Sequence, residues 1–124
     1  MVRPGLAAAA ALFIFGTPAL AYDGDGISFQ TPSGNIGCEY QQDTDNRLYC
    51  VRLEPTMAYI EFYPNQAFTG DYEGENWFPE NAGVLEYGET EMFGPYKCTS
   101  KESGLTCTAN GHGFTANRKG VKVH

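Results

Sequence analysis

From position 27 onward, apolar and polar residues alternate in short runs broken by Gly, Pro, Asn and Asp. Period two is the signature of half-buried strands, because successive side chains point to opposite faces. Ile27-Ser28-Phe29-Gln30 predicts the first strand, and residues 31–35 (TPSGN) predict a turn. There Pro32 sets φ for a central position, Gly34 accepts positive φ, and Ser33 and Asn35 hydrogen-bond the local backbone. Residues 36–40 and 48–53 predict a hairpin with Ile36, Cys38 and Tyr40 on one face and Leu48, Cys50 and Arg52 on the facing strand. The polar cluster 43–46 supplies its turn. Residues 57–63 (MAYIEFY) predict a strand with Ala58, Ile60 and Phe62 on one face and Met57, Tyr59, Glu61 and Tyr63 on the other, stopped by Pro64.

Residues 65–82 show no periodicity and read as a long irregular loop, a place where function often resides. Further strands are expected at 83–88, 92–100, 104–109 and 114–118, with 120–124 as a short tail or edge strand. Asn110-Gly111-His112-Gly113 reads as a turn, and no helical period of useful length appears after residue 21. The predicted fold is all-β: a small antiparallel sandwich or barrel of about eight short strands.

Four cysteines, Cys38, Cys50, Cys98 and Cys107, lie in this strand-rich part. If the turns centre near Thr44 and between Glu102 and Ser103, Cys38 faces Cys50 and Cys98 faces Cys107. Cβ atoms directly opposed across an antiparallel pair stand about 4.5–5.5 Å apart, close to what a disulfide needs. Two stapled hairpins are the expected framework. Zinc would call for closer C-x-x-C type spacing.

The first residues read differently. Arg3 precedes an unbroken apolar run of 10 residues, 6–15, followed by Gly16, Pro18 and the small-x-small site Ala19-Leu20-Ala21. That is the pattern of a signal peptide, residues 1–21, and the run is half of the roughly 20 residues a membrane span requires. Removing 21 of the 124 residues leaves 103, residues 22–124, a length for one domain. The remaining chain has fifteen acidic and seven basic residues, a net charge of −8. The expectation is an exported protein, periplasmic or secreted, with no membrane span after cleavage. The charge argues against nucleic acid and anionic membranes as partners and allows a cationic protein or envelope component.

Candidate chemistry is sparse. No cofactor motif occurs. An EF-hand frame from Asp43 reaches Glu54 at its twelfth position but places Arg47 and Leu48 fifth and sixth, so it fails. Neither G-x-S-x-G nor H-E-x-x-H occurs, and pairing leaves no free thiol. His112 in its glycine turn, with Arg118 beyond it, forms a candidate polar turn. Charge segregation is more informative: between Arg52 and Lys97 stand nine acidic residues and no Lys or Arg, whereas five basic residues and one acid, Glu102, follow from Lys97. Trp77 and Phe78 sit among Asp71, Glu73 and Glu75 in the irregular loop. Aromatics flanked by carboxylates suit a cationic protein surface, although the same rings can tuck the loop onto the core. The reading that follows is a non-catalytic exported binding domain whose contact surface is Asp71, Glu73, Glu75, Trp77 and Phe78. The alternatives are an inhibitor of a cationic hydrolase of lysozyme type, by analogy of size and charge, and a small hydrolase using His112.

The residues also carry a resemblance. Phe29, Thr31, Pro32, Ser33, Gly34, Asn35, Ile36, Gly37 and Cys38, then Cys50, Leu85-x-Tyr87-Gly88, Cys98, Gly104-Leu105-Thr106-Cys107, Gly111-His112-Gly113-Phe114 and Arg118 resemble a family of small exported bacterial proteins known as a domain of unknown function. The resemblance implies export and a stapled β fold, and it implies no activity.

Overall fold

The structure is a computed structural model that describes residues 27–124 apart from 44, 75 and 76. The signal-peptide reading of residues 1–21 and the arm before Ile27 lie outside the described residues. Eleven strands occur among those described: β1 (Ser28–Gln30), β2 (Ile36–Gln41), β3 (Arg47–Arg52), β4 (Ala58–Tyr63), β5 (Gln66–Asp71), β6 (Gly83–Val84), β7 (Thr90–Phe93), β8 (Tyr96–Lys101), β9 (Gly104–Ala109), β10 (His112–Asn117) and β11 (Gly120–Val123). They form a six-stranded sheet in the order β5-β4-β3-β2-β1-β6 and a five-stranded sheet in the order β11-β10-β9-β8-β7. The two hydrogen-bonded networks are separate, so the architecture is a sandwich and not a closed barrel. No helix among the described residues is long and apolar enough to cross a membrane.

The strand count exceeds the expected eight for local reasons. The stretch 92–100 is two strands, because Gly94 (φ 59°) and Pro95 make a two-residue turn that pairs Phe93 with Tyr96. Positive φ at the first central position is what a tight hairpin of this type requires. Six residues of the supposed irregular loop, 66–71, are strand: β5 returns antiparallel along β4 with Tyr63 opposite Gln66. The tail is β11, paired with β10 from Phe114–Val123 to Asn117–Gly120. The 83–88 segment shrinks to β6, which pairs parallel with β1, the single departure from antiparallel pairing between the strands.

Both predicted staples are present. Cys38 pairs with Cys50 across β2–β3, and Cys98 with Cys107 across β8–β9, each directly opposed in register. Each disulfide lies within one sheet, so neither joins the two layers. Packing holds the layers together: Phe29 stacks on Phe93 at 4.6 Å between ring centroids, and Phe62 meets Tyr96 at 4.8 Å and Phe114 at 6.0 Å. Each such fully buried ring contributes about 1.5–3 kcal/mol through burial, plus the edge and offset geometry aromatic pairs favour. Tyr96 and Tyr40 both donate their hydroxyls to Asn46; the Tyr96 bond, to the carbonyl, ties the β2–β3 turn to the second sheet, and the Tyr40 bond, to the side chain, braces the turn within its own sheet.

The marked 31–35 turn closes one end. Gly34 has φ +76° and donates to the Thr31 carbonyl at 2.8 Å. Asn35 exchanges two hydrogen bonds with the Glu54 backbone, at 2.7 and 3.0 Å, clamping the end of β3.

Candidate functional site

Alternation along β3 and β4 sends Arg47, Tyr49 and Val51, and Tyr59, Glu61 and Tyr63, to the outer face of the six-stranded sheet, since Leu48, Cys50, Ile60 and Phe62 fill the core. Two things cover part of this face. Phe78 and Pro79 lie over Gly37, where a Cβ would come within 2.6 Å of the Phe78 ring and 2.7 Å of Pro79. Trp77 meets Tyr49 edge-on at 5.0 Å. The paired rings of the irregular segment thus pack onto the back of the sheet, where Val51 and Pro79 are buried.

Beside this cover lies an open depression of about 400 Å³ lined by Tyr49, Tyr59, Glu61, Asp71, Tyr72 and Glu73. The Tyr59 ring rests on Gly70 opposite it in β5, so close that a Cβ there would be 2.8 Å from the ring. At the rim Arg47 donates to Glu61 at 2.7 Å, lies over the Tyr49 ring at 4.8 Å, and is held by Gln41, whose side-chain oxygen accepts from its Nε at 2.9 Å. Burial pushes the Tyr49 phenol above its ordinary value; the neighbouring Tyr72 pushes it further, and Arg47 opposes both. The depression therefore combines three phenol rings with three carboxylates, and beside it one guanidinium already rests against a ring and a carboxylate of its lining.

Of the residues singled out in the sequence, Asp71 and Glu73 come together here. Trp77 stands behind Tyr49 and does not line the depression, and Phe78 is turned onto Gly37. Glu75 lies outside the described residues. Tyr49, Tyr59, Glu61 and Tyr72 were not anticipated as a group. The alternation of β4 puts Tyr59 and Glu61 on one face, but only strand order brings Tyr49 and Tyr72 to them.

His112 and Arg118 do not form one site. The turn before β10 is Asn110-Gly111, both with positive φ, and His112 is already in the strand opposite Ala109. Arg118 follows the other end of the six-residue strand, about 20 Å away at the rise of extended chain. His112 is exposed, makes no ion pair with a carboxylate among the described residues, and does not line the acidic depression. A histidine base needs a partner within hydrogen-bond reach, so the geometry lends the hydrolase alternative no support. No three His, Cys, Asp or Glu side chains among the described residues stand together as metal ligands.

Few of the charges meet in ion pairs. Only two ion pairs occur among the described residues, Arg47–Glu61 and Arg118–Glu54, the second exposed. The cations after Lys97 are thus largely unneutralised within the fold.

No family model, no curated protein and no solved structure matches the chain. Fold and site together define a disulfide-stapled two-sheet β-sandwich with an acidic, tyrosine-lined depression on one outer face. Its two disulfides fit an oxidising compartment.

Proposed function

We propose that residues 1–21 are a cleaved signal peptide and that the remainder is an exported, non-catalytic domain, periplasmic or secreted, of the small uncharacterised family it resembles. Its role is to bind a cationic protein or envelope component. The observation that carries this reading is the shared depression of Asp71, Glu73 and Glu61 with Tyr49, Tyr59 and Tyr72. Lys or Arg side chains gain from a ring face and a carboxylate together, and Arg47 occupies such a position within the chain itself. Trp77 supports the wall through Tyr49 rather than meeting the partner.

A cationic hydrolase of lysozyme type is a probe of matching charge. The test is calorimetric titration of residues 22–124 with lysozyme at low and physiological salt, alongside the bacteriolytic assay. Binding that weakens at least tenfold in Asp71→Lys/Glu73→Lys, with both proteins equally folded, supports the surface. Equal binding by the wild type and the double variant removes it. Inhibition in the assay would select the inhibitor as the particular form of this function.

A further inference from the structure

Arg52 is 6% exposed, on the core face of β3 opposite Ile36 and Ala58. Its Nη1 donates to the Asn117 carbonyl at 3.2 Å, and its Nη2 to the Thr56 carbonyl at 2.6 Å and hydroxyl at 3.3 Å. Its Nε is buried and has no partner among the described residues. No carboxylate of the described residues lies within 4 Å of it. A guanidinium taken out of water without a counter-charge is costly, and neutral carbonyls offset that only in part.

Arg52 borders a depression of about 350 Å³ whose lining also includes Thr56, Thr69, Arg118 and Lys119, with Asp71 as its one carboxylate. The two further cations are the central residues of the β10–β11 hairpin. That hairpin is held in shape by Asn117, whose side-chain oxygen accepts from the backbone of Lys119 at 2.9 Å and Gly120 at 3.2 Å and whose amide donates to the Ser103 carbonyl at 2.9 Å. Arg118 is bridged to Glu54 at 3.1 Å, but both partners are about two-thirds exposed, and such a pair is worth little. Lys119 has no ion pair among the described residues.

The same turn borders two more depressions, one whose lining includes Thr115, Lys119 and Lys122 and another whose lining includes Arg118, Lys101 and the carboxylate Glu102. Five of the seven basic residues that follow position 21 therefore surround it. Against these five cations stand three carboxylates at the same end, Asp71, Glu54 and Glu102, and the other acidic residues among those described lie outside these depressions. Charges separated by more than the roughly 8 Å screening length at physiological salt do not cancel this local field.

We propose that this end of the sandwich is a binding site for an anionic group, a carboxylate or phosphate, held by Arg52, Arg118 and Lys119. The ligand supplies the counter-charge that Arg52 lacks. Both Nη atoms of Arg52 already donate to carbonyls, so Arg52 contributes its charge while the exposed Arg118 and Lys119 make the direct contacts; the Thr56 hydroxyl borders the same depression, and that of Thr69 donates to the Tyr59 carbonyl at 2.8 Å. No aromatic ring lines the Arg52 depression, so the site takes the charged group and has nothing on which to stack a nucleobase. The inference is independent of the acidic depression, and its test leaves Asp71, which borders both, unchanged.

The experiment titrates residues 22–124 with inorganic phosphate in one arm and acetate in the other, at constant ionic strength set by chloride. The readouts are Tm and the 1H–15N signal of the Arg52 Nε–H. The expected result is a rise in Tm of several degrees with at least one of the two anions, accompanied by a saturable shift of the Arg52 signal. Arg118→Gln/Lys119→Gln alters two exposed turn residues, leaves the fold intact, and abolishes most of the rise. A rise with phosphate alone assigns the site to a phosphate group, and one with acetate alone to a carboxylate. If neither anion differs from chloride, or if the double variant keeps the full rise, the site does not exist.

Discussion

The Phe78 ring occupies the space where a side chain at Gly37 would be: a Cβ at Gly37 would stand 2.6 Å from the Cζ of Phe78. Gly37 belongs to β2, between the core-facing Ile36 and Cys38, and Phe78 follows Trp77 in the acidic segment. The missing side chain is what lets Phe78 and Pro79 lie on the sheet, with Trp77 against Tyr49.

Gly37→Ala is therefore expected to lift this segment. Overpacking of this kind costs roughly 1–3 kcal/mol. The chain has a single Trp, so its emission reports the change directly. A red shift of Trp77 fluorescence together with a lower urea midpoint is the expected outcome; unchanged emission and midpoint would show that Phe78 does not sit on Gly37.

Gly70→Ala tests the depression itself. A Cβ there meets the Tyr59 ring at 2.8 Å, and the ring can swing away from the sheet at modest cost. Stability is expected to fall by about 1 kcal/mol or less, in line with surface substitutions of small strain. Binding of a cationic partner is expected to weaken more than stability does, because Tyr59 is displaced from Asp71 and Glu73. Titration calorimetry beside chemical denaturation separates the two effects.

Tyr96 makes stability depend on alkaline pH. Its ring is fully buried, and burial, with Tyr40 and Tyr63 nearby, pushes its phenol up from 10.0 to about 12. The fold favours the neutral form. Its contribution is complete below pH 10, where the unfolded chain also keeps its proton, and is lost as pH rises from 10 towards 12. Tyr49, also raised, acts in the same direction. Tyr96→Phe loses the hydrogen bond to the Asn46 carbonyl, about 1 kcal/mol at neutral pH, and flattens the alkaline decline. Urea midpoints measured from pH 8 to 12 check both; an equally steep decline in the variant would exclude Tyr96 as its source.

The two disulfides should stabilise to similar degrees. They close loops with sequence separations of 12 and 9, and the entropy of loop closure varies only with the logarithm of length. Cys38→Ala/Cys50→Ala and Cys98→Ala/Cys107→Ala are each expected to lose about 2.5–3 kcal/mol. Equilibrium unfolding measures this, and a loss below about 1 kcal/mol in either pair would contradict the chain-entropy account.

Some of this was legible in the chain and some was not. The stapled hairpins were, because Cys38 and Cys50 stand symmetrically about a polar turn and Cys98 and Cys107 about another. β5 was not, because an edge strand exposed along most of its length has no buried face and hence no apolar alternation. The break at Gly94-Pro95 was overlooked because flanking Phe93 and Tyr96 continue the apolar run. Asp71 and Glu73 drew notice by charge alone, whereas Tyr49 and Tyr72 needed strand order to join them. The inward position of Arg52 was present in the alternation Leu48, Cys50, Arg52, but its partners, the carbonyls of Thr56 and Asn117, come from a neighbouring loop and from the opposite sheet.

By itself the sequence determined the elements: period-two strands, turns at Gly, Pro and Asn, and cysteines opposed across hairpins, all set by backbone geometry over a few residues. Tertiary structure alone decided which outer faces meet which loops. Phe78 found Gly37, Asp71 found Tyr49, and Arg52 gathered Arg118 and Lys119 around it, through contacts between residues tens of positions apart. Local propensity carries no information about such contacts. They are set by sheet order and by the packing of two layers around one shared core.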